Sequence, residues 1–167
     1  ALAASGNSIQ VREHVEDRQL RWGRSQLHVA EKRLAEEDSP ENRSVVERLR
    51  SGYLKREIDI FTARVARHPE NIAWKHELAV RLKASGNHPE AIKYFQDVIH
   101  DARRKGAVAL DLGECFQKIR QYSLAMRSYQ TAVESLTDRE LDLRKRALYR
   151  AGVLAAGLDD EDAARKY

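Results

Sequence analysis

Proline, glycine and cysteine are all scarce in this sequence. Three prolines and eight glycines among 167 residues exclude a collagen-like chain and argue against a turn-rich all-β fold. The one cysteine, Cys115, cannot form a disulfide within the chain. Since a lone cysteine is typical of a reducing compartment, the sequence predicts a cytoplasmic protein.

Long hydrophobic runs are also missing. No stretch approaches the roughly 18 apolar residues that indicate a transmembrane helix, and the first residues do not form a basic-then-apolar signal segment. The sequence therefore predicts no membrane span. The chain starts without methionine and stops inside a predicted helix, so we expect either a fragment of a longer protein or disorder beyond Tyr167.

Charge of one sign does not accumulate either. The chain has 30 Lys and Arg residues against 26 Asp and Glu, a net charge of +4, and the two signs alternate along it. Nucleic-acid-binding proteins usually concentrate positive charge on one face or tail. Nucleic acid is therefore not expected as a partner, and an RNA- or DNA-binding helical repeat is the lowest alternative.

The residues that are abundant are Ala, Leu, Glu, Arg and Lys, which favour helices, and the first 70 residues contain two long helical patterns. Leu20, Leu27 and Leu34 lie seven residues apart in the first pattern. Ser39 and Pro40 are typical of the start of the second, and the chain leaves it before Pro69. We predict a long antiparallel helical hairpin over residues 1–70. The apolar stripe stays in phase across Gly52, which favours one continuous second helix over two helices joined by a turn.

Shorter helices follow over residues 71–167. Their apolar spacing and the intervening turns predict helices over 72–84, 89–100, 107–119, 123–136, 139–156 and 161–167.

Four of these helices form two pairs that repeat a pattern at an offset of 34 residues. Small and large apolar residues recur while the other letters change, which is typical of packing positions in stacked helical hairpins. The predicted packing positions are Leu78, Ala79, Leu82, Ala91, Phe95 and Val98 in the first pair, and Leu112, Gly113, Phe116, Ala125, Tyr129 and Ala132 in the second.

A helix–turn–helix unit of this period resembles the tetratricopeptide repeat (TPR) of bacterial-type proteins. The resemblance implies an all-α fold in which antiparallel helical hairpins stack as a right-handed superhelix, an α-solenoid, after the long N-terminal hairpin. The implied units are 72–105, 106–139 and an incomplete 144–167. Some features depart from the family pattern: Trp74 lies one place early, and no proline follows His100 or Leu136.

The resemblance also implies a function, since such arrays bind peptides or helices of other proteins along a concave surface formed by the first helix of each unit. We therefore expect a non-catalytic scaffold for protein–protein interaction. The alternative is homo-oligomerisation through the N-terminal helices, giving a homodimer. The implied concave surface consists of Ala73, His76, Val80, Lys83, Ala107, Leu110, Glu114, Gln117, Lys118, Lys145 and Leu148.

Chemistry-bearing motifs are not found. The run HELAV begins like a zinc-protease helix, but Val80 stands where the second histidine would be, four residues after His76. Cys115 has no second cysteine or neighbouring histidine in the sequence to make it a nucleophile. There is no glycine-rich phosphate loop. The sequence predicts no enzymatic activity, no metal and no cofactor.

Overall fold

A computed structural model describes residues 8–158 of the chain. The described part contains seven α-helices and no strand, which confirms the all-helical class. The chain divides into two compact units, Ala1–His68 and Pro69–Tyr167, and each is described separately below.

The first unit is a hairpin of two 28-residue helices, α1 (Ile9–Glu36) and α2 (Pro40–Arg67). Ser39 caps α2 as predicted, because its side-chain oxygen accepts a hydrogen bond from the Asn42 amide at 3.2 Å. Gly52 lies inside α2, so the prediction of one continuous helix is confirmed.

Two ion pairs show that the helices are antiparallel. Arg50 of α2 pairs with Glu31 of α1, whereas Arg64, further along α2, pairs with Glu16, which lies earlier in α1.

The interior of the hairpin contains few apolar side chains. Ala30 is the one buried residue described in α1, and Val46, Ile60, Phe61, Arg64 and Val65 are buried in α2. At one point the Tyr53 ring packs directly on the backbone of α1, because a Cβ atom added to Gly23 would lie 2.7 Å from that ring.

A cluster of ion pairs joins the open end of the hairpin. The Arg64 guanidinium donates to Glu16 at 2.9 Å and to Asp17 at 2.7 Å, and Arg67 donates to the same Glu16 at 2.7 Å. His68 Nε2 lies 3.1 Å from Glu13. The Arg64 and Glu16 side chains are only 8% and 14% exposed, so this pair is shielded from water, unlike an ordinary surface ion pair. Asp17, at 53% exposed, lies at the edge of the cluster.

The described part of the second unit contains five helices, and each packs against the next along the chain. In addition, α5 contacts α7. The helices are α3 (Ile72–Ala84), α4 (His88–Val98), α5 (Lys105–Lys118), α6 (Tyr122–Ser135) and α7 (Leu141–Gly157), with a 3₁₀ turn at Asp138–Glu140 before α7.

The turns that end α3 and α5 have the same backbone geometry at an offset of 34 residues. Gly86 and Arg120 both have positive φ, 83° and 61°. The amide of Asn87 donates to the Leu82 carbonyl, and that of Gln121 donates to the Phe116 carbonyl, both at 2.9 Å. This is the left-handed C-terminal motif that glycine normally closes. The recurrence therefore extends from the sequence pattern to the backbone.

The residues predicted to pack between helices lie in the interior of the second unit. Phe95 and Tyr129, which occupy equivalent positions, are both 0% exposed. A Cβ atom added to Gly113 would lie 2.4 Å from the Tyr129 ring, so the absence of a side chain there lets α5 and α6 approach. All twelve are buried: Leu78, Ala79, Leu82, Ala91, Phe95, Val98, Leu112, Gly113, Phe116, Ala125, Tyr129 and Ala132.

The start of α7 differs from the prediction. The predicted helix begins at Arg139, whereas the structure has a 3₁₀ turn closed by a capping box between Thr137 and Glu140 and begins α7 at Leu141. The last predicted helix, 161–167, lies outside the described residues, so the incomplete second half of the third unit is not described.

A candidate binding groove in the second unit

An open groove of about 660 Å³ lies between the helices of the second unit. Its size is within the roughly 300–1,000 Å³ range of sites that hold ligands. Three of the helices that line it, α3, α5 and α7, alternate along the chain. The first residues of α4 and α6 and the turn after α5 complete the lining. The lining residues are Val80, Lys83, Ala84, His88, Asp111, Glu114, Gln117, Lys118, Arg120, Tyr122 and Arg150.

Glu114 is the centre of an ion network that joins these three helices. Lys83 of α3 donates to both Glu114 and Asp111. From α7, Arg146 forms a two-point contact with the Glu114 carboxylate, with its Nε at 2.9 Å and its Nη2 at 2.7 Å. Arg150 Nε approaches the same carboxylate at 3.5 Å. The Glu114 side chain is 10% exposed, so α3, α5 and α7 meet through one shielded carboxylate.

Burial and charge act in opposite directions on this network. Burial alone would raise the pKa of Glu114, but hydrogen bonds and charges from Lys83 and Arg146 outweigh it and hold the pKa below its usual value. Burial would likewise lower the pKa of Lys83, but Asp111 and Glu114 raise it. Both groups are therefore charged at neutral pH, and each compensates the other.

Beyond this network, positive charge is in excess along the groove. Four cationic side chains line it against two carboxylates, and both carboxylates are already engaged by Lys83 and Arg146. Lys118 and Arg120 are exposed, and neither has an ion-pair partner among the described residues.

His88 lies in the same groove. Its Nδ1 atom is buried and accepts or donates no hydrogen bond within the described part of the chain. Burial lowers the pKa of His88, and the charges of Lys118 and Lys83 lower it further. The imidazole is therefore neutral at neutral pH and leaves the surplus charge of the groove unchanged.

The sequence-predicted surface residues divide into three sets. Val80, Lys83, Glu114, Gln117 and Lys118 line the groove. Leu110 does not form part of any surface, because it is only 2% exposed. The remaining five lie outside the groove: Ala73 and Lys145 are exposed, Ala107 and Leu148 are half-buried, and His76 has its ring edge-on to Phe95 at 6.3 Å.

Sequence reasoning missed several residues of the groove. His88 and Tyr122 begin helices and Arg120 lies in a turn. Neither these three nor Arg150 were among the predicted surface residues. One signal could have found Arg120: the 34-residue offset places it opposite Gly86, and a charged residue where glycine fits a turn is unusual.

The one cysteine, Cys115, lies in the interior of the second unit. Burial raises the pKa of Cys115 to about 11, and the thiol is 0% exposed, so it is protonated and inaccessible at neutral pH. Within residues 8–158, no three His, Cys, Asp or Glu side chains come together as a possible metal site. None of the helices in that range is long and apolar enough to cross a bilayer.

No protein-family model matches the chain, and no curated protein is significantly similar to it.

Proposed function

We propose that this chain is a non-catalytic protein-interaction module of the tetratricopeptide type. In this proposal the hairpins of the second unit stack as a right-handed superhelix, and the groove along α3, α5 and α7 holds a peptide or helical segment of another protein.

The observation that carries the proposal is the groove built from alternate helices. In an array of hairpins, the first helix of each unit faces the first helix of the next, and these helices form a continuous surface. The network from Lys83 through Glu114 to Arg146 joins the alternate helices α3, α5 and α7, which supports such a surface. The equivalent turns at Gly86 and Arg120 support the same repeat.

Site-specific photo-crosslinking tests the proposal. A benzoylphenylalanine at Val80, 37% exposed in the groove, should crosslink to another polypeptide in the native cell. The same group at Lys93, an exposed residue of α4 that does not line the groove, serves as the matched control. Equal crosslinking from both positions, or none from Val80, would refute a binding role for the groove.

A second candidate function rests on the first unit. Trp22 and Val29 are seven residues apart on α1 and are 59% and 47% exposed. Together with Val45 of α2, they line a shallow groove of about 350 Å³. Exposed apolar residues at this spacing favour pairing with a second copy of the hairpin.

Sedimentation tests this second function. If the hairpins pair, the native chain should form a dimer whose population rises with concentration, and Trp22→Glu should convert it into a monomer. A native chain that is monomeric at every concentration would exclude homo-oligomerisation.

A further inference from the structure

We infer that the groove recognises an acidic peptide segment, with Lys118, Arg120 and Arg150 binding its carboxylates and Val80, Ala84 and Tyr122 contacting an apolar side chain beside them. This inference rests on the proposed function and specifies the chemistry of its partner.

The first argument is the charge that remains after the internal pairs are formed. Asp111 accepts from Lys83 at 2.5 Å, and Glu114 accepts from Lys83 and Arg146. The groove's two carboxylates are therefore already neutralised. Lys118 and Arg120 have no such partner among the described residues, and Arg150 reaches Glu114 only at 3.5 Å. A segment that brings carboxylates would complete the pairing, whereas a basic segment would be repelled.

The second argument is the backbone at Arg120. Residues with a side chain adopt positive φ at a cost of about 1–2 kcal/mol, and the equivalent turn after α3 uses Gly86. Glycine would therefore form the turn after α5 at lower cost. The chain instead has arginine, whose side chain lines the groove. Backbone strain at a residue that faces a groove is typical of functional positions.

The third argument distinguishes a peptide from a nucleic acid. The cations share the groove with apolar side chains, since Val80 and Tyr122 are 37% and 38% exposed there. A nucleic acid would need a track of cations that follows successive phosphates. A short acidic segment with an apolar residue matches both parts of the lining.

The experiment uses the full chain as the target for selection from a display library of random dodecapeptides. Each peptide is displayed internally, with neither end free. The selection is repeated on the Lys118→Glu/Arg120→Glu double variant. The control is Lys93→Glu/Arg127→Glu, which changes two exposed residues of α4 and α6 outside the groove and alters the net charge by the same amount. We expect the selected peptides to be enriched in Asp and Glu around an apolar residue. This enrichment should disappear with the double variant and remain with the control.

Binding constants then test the chemistry directly. A synthetic peptide from the selection, blocked at both ends, should bind the double variant about ten- to a hundredfold more weakly, since each charge-assisted hydrogen bond contributes roughly tenfold. Replacing its Asp and Glu by Asn and Gln should weaken binding to a similar extent. Arg120→Lys should retain most of the affinity, because the positive charge is kept.

Three outcomes would contradict this inference, and each has a different consequence for the proposed function. Peptides that bind the groove without acidic bias would overturn this inference and leave the proposed function standing. No peptide that depends on the groove would overturn both. The third outcome concerns a 20-nucleotide single-stranded RNA probe. If it binds more tightly than every peptide, and the same double variant abolishes that binding, the groove is assigned to nucleic acid and the acidic peptide is rejected.

Discussion

The two units of this chain are stabilised in different ways. The hairpin of α1 and α2 buries few apolar side chains and is joined at its open end by Arg64, Arg67, Glu13, Glu16 and Asp17. The second unit buries a continuous set of apolar residues between successive helices, with Phe95 and Tyr129 fully buried, and its ion network lies at the groove.

The difference shows how the position of a charge determines its role. In the hairpin, ion pairs join two helices that bury few apolar side chains. In the second unit, apolar packing supplies cohesion, so charged residues can be displayed around the groove. The predictions below test this contrast, from the largest expected effect to the smallest.

Phe95→Ala should be the most damaging change. Removing a fully buried ring leaves a cavity, and such substitutions typically cost about 3–5 kcal/mol. Denaturant unfolding measures the loss, and hydrogen exchange read by mass spectrometry locates it in the second unit. Tyr149→Ala, at a residue 68% exposed, should change stability by less than about 0.5 kcal/mol. If both variants are equally stable, apolar packing does not dominate this unit.

Arg64→Ala should be the most damaging charge removal in the hairpin. It leaves Glu16, 14% exposed, with one fewer cation, and we expect a loss of about 2–3 kcal/mol, less than for a fully buried pair. Arg50→Ala, in an exposed pair, should cost about 0–1 kcal/mol. Hydrogen exchange in α1 and α2 is the measurement. An Arg64→Met variant as stable as the native chain would show that the apolar stem, and not the charge, matters.

Glu114 should make the second unit sensitive to acid. Its folded-state pKa lies below the ordinary value of 4.5, so its contribution is fully present above pH 4.5 and is lost as pH falls through the lower folded-state pKa. At pH 7, Glu114→Gln should cost about 1.5 kcal/mol. Urea unfolding at several pH values should show the native chain and the variant converging at low pH. A constant difference down to pH 2 would contradict this account.

Substitutions in the equivalent turns at Arg120 and Gly86 should change stability least, and in opposite directions. Arg120→Gly should stabilise the chain by about 0.5–1 kcal/mol, because relief of the left-handed strain exceeds the added entropy of the unfolded chain. Gly86→Ala should destabilise it by a similar amount. The two unfolding midpoints test this. If Arg120→Gly lowers stability, contacts of the arginine side chain outweigh the strain.

Much of the fold could be predicted from the sequence because it depends on local patterns. The range of α3, the cap at Ser39 and the continuity of α2 through Gly52 follow from helix propensity, capping and periodicity. The start of α7 was predicted two residues early, because a 3₁₀ turn closed by the Thr137–Glu140 capping box precedes the α-helix.

The groove was only partly predictable because it depends on how helices meet. Leu110 was assigned to the surface, but α5 packs against α4, α6 and α7, so most of its circumference is covered. Arg146 and Arg150 reach Glu114 from a different helix, and no spacing within one segment encodes that contact. The distribution of charge over the groove is likewise a tertiary property.

The next-neighbour packing of the second unit also has a kinetic consequence. Because each helix of this unit packs on the one that follows it, most of its contacts join residues close in sequence. Folding then requires no long loop to close before contacts form, and chains of low contact order fold within microseconds to milliseconds. A nascent chain could thus complete the pair α3 and α4 while α5 is still being synthesised, and add each later helix to a surface that already exists.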